Sequence, residues 1–266
     1  MKGPTVVAIS SHVMAGTVGL RAIGFALERR GHTVWSVPTV VMPWHPGMGR
    51  STRTIMADLP MQLGELATRA EAVDGVLTGY FATAEQVEAA ARFVDALRAV
   101  RPDALVVTDP VTGDENGRYV PDSVAEAIVT HLLPRADVAT PNRNELMDLS
   151  GGADLQAARG FGPKASVVTS AVAANGALAT WLVEAEVACA FSHRKVQRAA
   201  RGTGDLFSAI LTSGLLHGAS REAAVAAAAA ATLSAVEASG PDALNLSAVQ
   251  AALASPDTSS IEKTPI

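Results

Sequence analysis

Short apolar runs alternate with amphipathic segments over the first two thirds of the 266 residues, and this alternation restricts the fold more than any single residue does. "TVVAI" (Thr5–Ile9), "HTVWSVPTV" (His32–Val40) and "VDGVLTGY" (Val73–Tyr80) read as buried strands. "TVGLRAIGFALERRG" reads as a helix ended by Gly31, and "AEQVEAAARFVDALRAV" (Ala84–Val100) as a well-patterned second one. Then come "DALVVTDP", a strand and a breaker; "SVAEAIVTHLL", a helix; "ADVATPN", a short strand entering a turn; and "ASVVTS", a strand. Strands alternating with helices of this length imply βαβ units, hence an α/β fold with a mainly parallel central sheet flanked by helices on both faces.

The last third differs. "GALATWLV", "EVACAF" and "RKVQR" read as consecutive strands joined by short turns, Asn175–Gly176 being one. Three helices follow, from about Thr203, from about Arg221 and near Leu246, and the polar stretch 255–266 is expected to be loose. No linker or internal repeat interrupts residues 1–266, so a single domain is expected.

Bulk properties exclude several classes. Hydrophobic residues make up 48% and charged ones 18%, a globular balance. Net charge is −5 with both signs interleaved, so there is no basic stripe for nucleic acid. One cysteine, Cys189, excludes an intramolecular disulfide framework and fits a reducing compartment. The first ten residues hold only a five-residue apolar run, and the longest apolar stretch, the 14 residues from Ala223, is mostly alanine. Neither suits a leader peptide or a membrane span, so a soluble, cytoplasmic protein is expected.

In an open parallel sheet, ligands bind beyond the carboxyl ends of the strands. Polar residues collect there: Ser10–His12, Asp109–Asp114, Thr140–Glu145 and Thr169–Ser170. "RGTGDLFSAI" (Arg201–Ile210) adds a glycine-rich turn feeding a helix, which presents backbone N–H groups and a positive dipole end to an anion. Asp205 places a negative charge in that turn, either as a cap or as a chemical group. Asp109 and Asp114 are either turn formers or two carboxylates for a hydrated Mg2+. Asn142 and Glu145 fit a helix capping box, with a metal-water or phosphate contact as the competing reading.

"GTGDLFSA", "DPVTGDENGRYVP", "TPNRNELMDLSG", "LTGYFATAEQ" and "ISSHVMAGTVGLRAIGFALERRGHTVW" occur in the order and at about the spacing found in pyridoxal kinases of the ribokinase-like superfamily. The chain resembles that family from about residue 5 to about residue 217. The resemblance implies ATP-dependent phosphorylation of the 5′-hydroxymethyl group of pyridoxal and related B6 vitamers. Asp205 would be general base, and the amides of Gly202, Thr203 and Gly204 would cradle the phosphates.

It further implies that Ser11 hydrogen-bonds the pyridine ring and that Val18, Met42 and Tyr80 line its pocket, with His45 and Pro46 on the neighbouring loop. Asp109, Asn142, Glu145, Thr169, Ser170, Val196 and Thr203 would surround ATP, under a flap, Gly113–Tyr119, that brings Tyr119 over the triphosphate. Mg2+ would lie near Asp109 and Glu145, and K+ is allowed near Asp114, Thr140 and Thr169. No nucleic-acid or membrane partner is implied, and relatives are commonly homodimers.

Several positions depart from the family pattern. Ser-Asn-His-Thr is common where this chain reads Pro43-Trp44-His45-Pro46, and Arg201 replaces an apolar or small residue. They leave open a kinase for another hydroxymethyl heterocycle, of the hydroxymethylpyrimidine type, or for a small alcohol. A non-catalytic ligand-binding protein on the same scaffold is the reading from a different class, opposed by the retained Asp205 between its glycine-rich turn and helix.

Overall fold

The computed structural model describes residues 3–173, 176–196 and 200–266. The strands in chain order are β1 (Thr5–Val13), β2 (Thr33–Met42), β3 (Thr54–Ile55), β4 (Gly75–Thr78), β5 (Leu105–Thr108), β6 (Gly113–Asp114), β7 (Gly117–Arg118), β8 (Val138–Ala139), β9 (Ala165–Val172), β10 (Leu178–Val183), β11 (Ala188–Ser192) and β12 (Glu262–Pro265). Ten of them form one sheet in the order β12-β11-β10-β9-β8-β5-β4-β1-β2-β3, while β6 and β7 form a separate hairpin. The pairs from β2 through β1, β4, β5 and β8 to β9 are all parallel. β3, β10, β11 and β12 join antiparallel at the edges.

Side chains alternate across each strand, so both faces of a doubly covered sheet must be apolar. On β1, Val7 and Ile9 enter one core with the helices Leu59–Ala67 and Ala84–Val100. Val6 and Ala8 enter the other, with the helices Leu20–Arg29, Thr203–Leu216 and Arg221–Glu237. The alanine-rich helix packs closely on its neighbour: a Cβ on Gly214 would sit 3.1 Å from that of Ala224. No helix among the described residues is long and apolar enough to cross a membrane.

Three sequence expectations need correction. Residues 255–266 are not loose: β12 pairs with β11, and Ile266 N–H donates to Ala188 O at 3.1 Å. Lys263 ties the strand to Glu222, an ion pair that local polarity did not reveal. "RKVQR" adds no strand over Arg194–Val196, and its remainder, with Asn175, lies outside the described residues. The helix Leu59–Ala67 was not anticipated, although Pro60 in its first turn marks such a start.

Candidate active site

All six parallel strands end on one edge, and the candidate residues sit there. Asp205 lies in the first turn of the helix Thr203–Leu216, whose leading N–H groups have no intrahelical acceptor. Gly202 caps that helix at φ +90°, with its Cα against the carbonyl of Thr17, where any side chain would collide. Sequence therefore dictates a bare backbone cradle. One oxygen of Asp205, Oδ2, accepts the N–H of Gly19 at 2.8 Å. Burial pushes the Asp205 carboxyl up to about 6, against the pull of that N–H.

Asp109 follows β5 and is buried. A Cβ on Gly204 would lie 3.7 Å from Asp109 Oδ2, so this carboxylate faces the phosphate-type turn. Ser208 donates to Asp109 Oδ2 at 3.2 Å, and Thr140 Oγ1 lies 2.8 Å from Ser208 Oγ. With the Ser208 proton on the carboxylate, Thr140 is the donor to Ser208. Burial holds the Asp109 carboxyl well above its ordinary range, with Glu145 and Asp205 adding to the rise and Ser208 opposing it.

Glu145 closes a full capping box. Its Oε2 accepts Asn142 N–H at 2.8 Å, while Asn142 Oδ1 accepts the N–H groups of Asn144 and Glu145. Oε1 accepts Thr112 N–H at 3.1 Å, which joins the cap to the loop after β5. Burial pushes Glu145 up to about 8 despite these donors. The cap and the acid cluster are therefore the same residue.

Asp114 lies on the loop that follows Asp109 and also acts as a turn former. Its Oδ1 accepts Asn116 N–H at 2.8 Å and holds the turn of the β6–β7 hairpin. Tyr119, at the end of that hairpin, is half exposed, and burial together with Glu145, Asp109, Asp114 and Asp205 raises its hydroxyl. Among the described residues no three His, Cys, Asp or Glu side chains form a metal cage. Asp109, buried and facing the phosphate-type turn, and Glu145, buried and electrostatically close to it, form no ion pair with Lys or Arg among the described residues and suit a cation that keeps most of its waters.

Beside the turn is a cleft of ≈ 160 Å³, lined by Thr169, Ser170, Val196, Thr203, Phe207 and Leu233 among others. Its end at Thr203 and Gly204 is polar and its body apolar, an arrangement suited to a purine with its phosphates. The register of β9 against β10 slips between Val168 and Ala171, and within that bulge Ser170 takes φ +54°. A bulge re-aims a side chain at the cost of regular pairing. Thr169 bridges in parallel to Asn142, so the cap and the cleft share a wall.

The remaining residues gather at and beyond the carboxyl ends of β1, β2 and β4. Val18 and Met42 are buried with Val13, Val40 and Ala82 in a small apolar cluster that Tyr80 packs against. Tyr80 Oη accepts from Arg53 at 2.7 Å. Ser11 is buried where the β1–β2 register shifts, between Ser10 and His12. His45 Nδ1 accepts Gly47 N–H at 3.0 Å, and Pro46 opens the short turn Pro46–Met48. Trp44 is 39% exposed and so is no core residue. Sequence reading missed Gly19, Thr112 and Ser208; Ser208 stands three residues beyond Asp205 on the same helix, a spacing that could have flagged it.

A parallel α/β sheet carrying an acid at a helix N-terminus, between a purine-sized cleft and an apolar pocket, defines a small-molecule kinase of the ribokinase-like class. The phosphomethylpyrimidine kinase family profile matches residues 29–250, and the chain belongs to that family. The pyridoxine/pyridoxal/pyridoxamine kinase of Bordetella avium is 36% identical over 245 residues, covering 84% of this chain and 81% of that protein. The pyridoxal kinase PdxY of Photobacterium profundum is 31% identical over 234 residues, covering 80% and 79%. The pyridoxal kinase of Leishmania donovani, solved with ADP and pyridoxine, superposes with a TM-score of 0.89 at 27% identity over 98% of this chain and 99% of its own.

Proposed function

We propose that the chain transfers the γ-phosphoryl group of MgATP to the 5′-hydroxymethyl group of pyridoxal and the other B6 vitamers, with Asp205 as general base. The observation that carries this reading is the half-buried Asp205 carboxylate beside the open amides of its own helix. Its Oδ2 is held by Gly19, which leaves Oδ1 to take the hydroxyl proton. The freed oxygen bonds to the γ-phosphorus as the bond to the ADP oxygen breaks. The N–H groups at Gly202–Gly204 stabilise the charge gathering on the phosphoryl oxygens.

Ser11 would bind the ring, with Val18, Met42 and Tyr80 forming its apolar wall. Asn142, Thr169, Ser170, Val196 and Thr203 would bind the nucleotide. Mg2+ would be held near Asp109 and Glu145, where it supplies the charge neutralisation that two buried acids beside a triphosphate require. K+ near Asp114, Thr140 and Thr169 belongs to the same proposal, although Thr140 and Asp114 already engage Ser208 and Asn116. The hairpin ending at Tyr119 would exclude water from the triphosphate. We also infer that residues 1–266 act as one unit, as the single ten-stranded sheet supports, and that the unit works as a cytoplasmic homodimer.

Purified protein incubated with MgATP and pyridoxal, pyridoxine or pyridoxamine tests the reading by direct detection of the phosphorylated vitamer. Turnover of at least one vitamer is expected. Failure with all three, alongside phosphorylation of a hydroxymethylpyrimidine, would reassign the substrate to the pyrimidine class.

A further inference from the structure

The two departures from the family pattern, the Pro43–Pro46 segment and Arg201, lie far apart in sequence but meet in the structure. The space a Cβ on Gly47 would need is filled by Cζ, Nε and Nη2 of Arg201. Gly47 does not have a positive φ, so its backbone conformation does not demand glycine. What occupies the space is the guanidinium of Arg201 against its Cα. Planar stacking is a property of Arg that Lys lacks.

The backbone on each side of this contact is held. On one side, Pro46 opens the turn Pro46–Met48, and the Gly47 N–H is tied to His45 Nδ1 at 3.0 Å. On the other, Arg201 immediately precedes Gly202, whose Cα is pressed against the Thr17 carbonyl. Arg201 makes no ion pair or side-chain hydrogen bond among the described residues, so its packing on Gly47 is what orients it. The charges facing His45 are Arg201 and, from the β6–β7 hairpin, Asp114. Two loops, 43–50 and the phosphate-binding turn, thus meet at one side chain, with Asp114 of the hairpin acting on His45 beside them.

We propose that Arg201 is a specificity-determining residue that latches the loop 43–50 onto the start of the phosphate-binding turn, so that the loop bordering the ring is held in place. The proposal rests on the kinase reading above. A loop fixed by Pro46 but lacking the latch swings away from the ring, while the nucleotide cleft, which has neither Arg201 nor any residue of this loop in its lining, keeps its shape. The latch therefore acts on the alcohol and spares ATP.

Steady-state kinetics of Arg201→Ala, Arg201→Lys, Gly47→Ala and the double variant Gly47→Ala/Arg201→Ala, with pyridoxal and MgATP varied separately, test it. Arg201→Ala should raise KM for pyridoxal roughly three- to tenfold, the scale of one lost surface contact, with KM for MgATP and kcat within about twofold. Gly47→Ala should match it, because the new methyl displaces the guanidinium. The double variant should be no worse than either single one, a non-additivity expected only of residues in contact. Lys should not rescue. Unchanged KM for pyridoxal in Arg201→Ala, a rise in KM for MgATP instead, or additive losses in the double variant would each overturn the latch. If wild-type protein turns over another alcohol and no vitamer, the substrate reading fails and the same four variants test the latch with that alcohol.

Discussion

The N–H of Gly19 donates to Asp205 Oδ2 at 2.8 Å across 186 residues of chain. Gly19 has φ +57° and ψ −137°, and a Cβ there would strike the carbonyl oxygen of Ser11. One glycine thus sets the orientation of the base and abuts the strand end that carries the ring-binding serine. Gly19→Ala is expected to cost about 1–3 kcal/mol in folding stability through backbone strain. It should also lower kcat more than KM, as Asp205 loses its fixed orientation. Urea titration and steady-state kinetics check both effects, and an unchanged kcat would show that this hydrogen bond has no part in orienting the base.

Glu145 sits at about 8 in the folded protein and near its ordinary value of 4.5 when unfolded. Between those values the folded state holds a proton that the unfolded state releases, so this residue's contribution to stability falls as pH rises through the window. Glu145→Gln removes the titration. It also leaves one of the N–H groups of Thr112 and Asn142 facing an NH2, a loss of about 1–3 kcal/mol. Without nucleotide or Mg2+, the variant should be less stable than wild type at pH 5, and the gap should shrink by pH 8.5. A gap that stays constant in urea titrations at the two pH values would contradict a raised Glu145. KM for MgATP should rise at both.

Ser170 separates backbone from side chain. At φ +54°, glycine should be tolerated to within about 1 kcal/mol, whereas Ser170→Val should cost about 1–3 kcal/mol because a β-branched residue resists the left-handed region. Ser170→Gly should raise KM for MgATP, since it removes the hydroxyl that lines the cleft. Thermal melts and nucleotide titrations distinguish the two. Equal stability of the Gly and Val variants would show that the bulge carries no strain.

Trp44 is 39% exposed beside the vitamer loop, so Trp44→Ala should raise KM for pyridoxal and leave the melting temperature nearly unchanged. Pro46 lacks both the hydroxyl and the N–H that a threonine would offer there. Pro46→Thr should lower KM for pyridoxal roughly two- to twelvefold, the value of one neutral hydrogen bond, with kcat little changed. An unchanged KM in Pro46→Thr would mean that this loop does not read the ring.

The strand–helix alternation was legible because burial on both faces forces continuous apolar runs, and the helix Ala84–Val100 emerged with its full span. β12 was not legible, since a polar strand such as Glu262–Pro265 depends on pairing with β11 and on the contact of Lys263 with Glu222. The acids at 109, 145 and 205 could be named from motif and spacing. Their grouping could not, because Glu145 and Asp205, which raise the Asp109 carboxyl, lie far from it in sequence. Ser208 carries only the weak signal of its spacing from Asp205, and a long-range amide such as Gly19 carries no local signal. They become visible only when the carboxyl ends of the strands are assembled.

The most direct measurement is kcat for Asp205→Asn with MgATP and pyridoxal, alongside the pH dependence of wild-type kcat/KM. Asn accepts the Gly19 N–H and suits a helix N-terminus as well as Asp does, so the melting temperature and nucleotide affinity should stay near wild type. The loss of a general base should lower kcat by roughly 10²–10⁴-fold. Wild-type kcat/KM should rise with pH as Asp205 loses its proton near 6. An Asp205→Asn protein that retains wild-type kcat would contradict the account: Asp205 would then be a cap, and the hydroxyl proton would leave by another route.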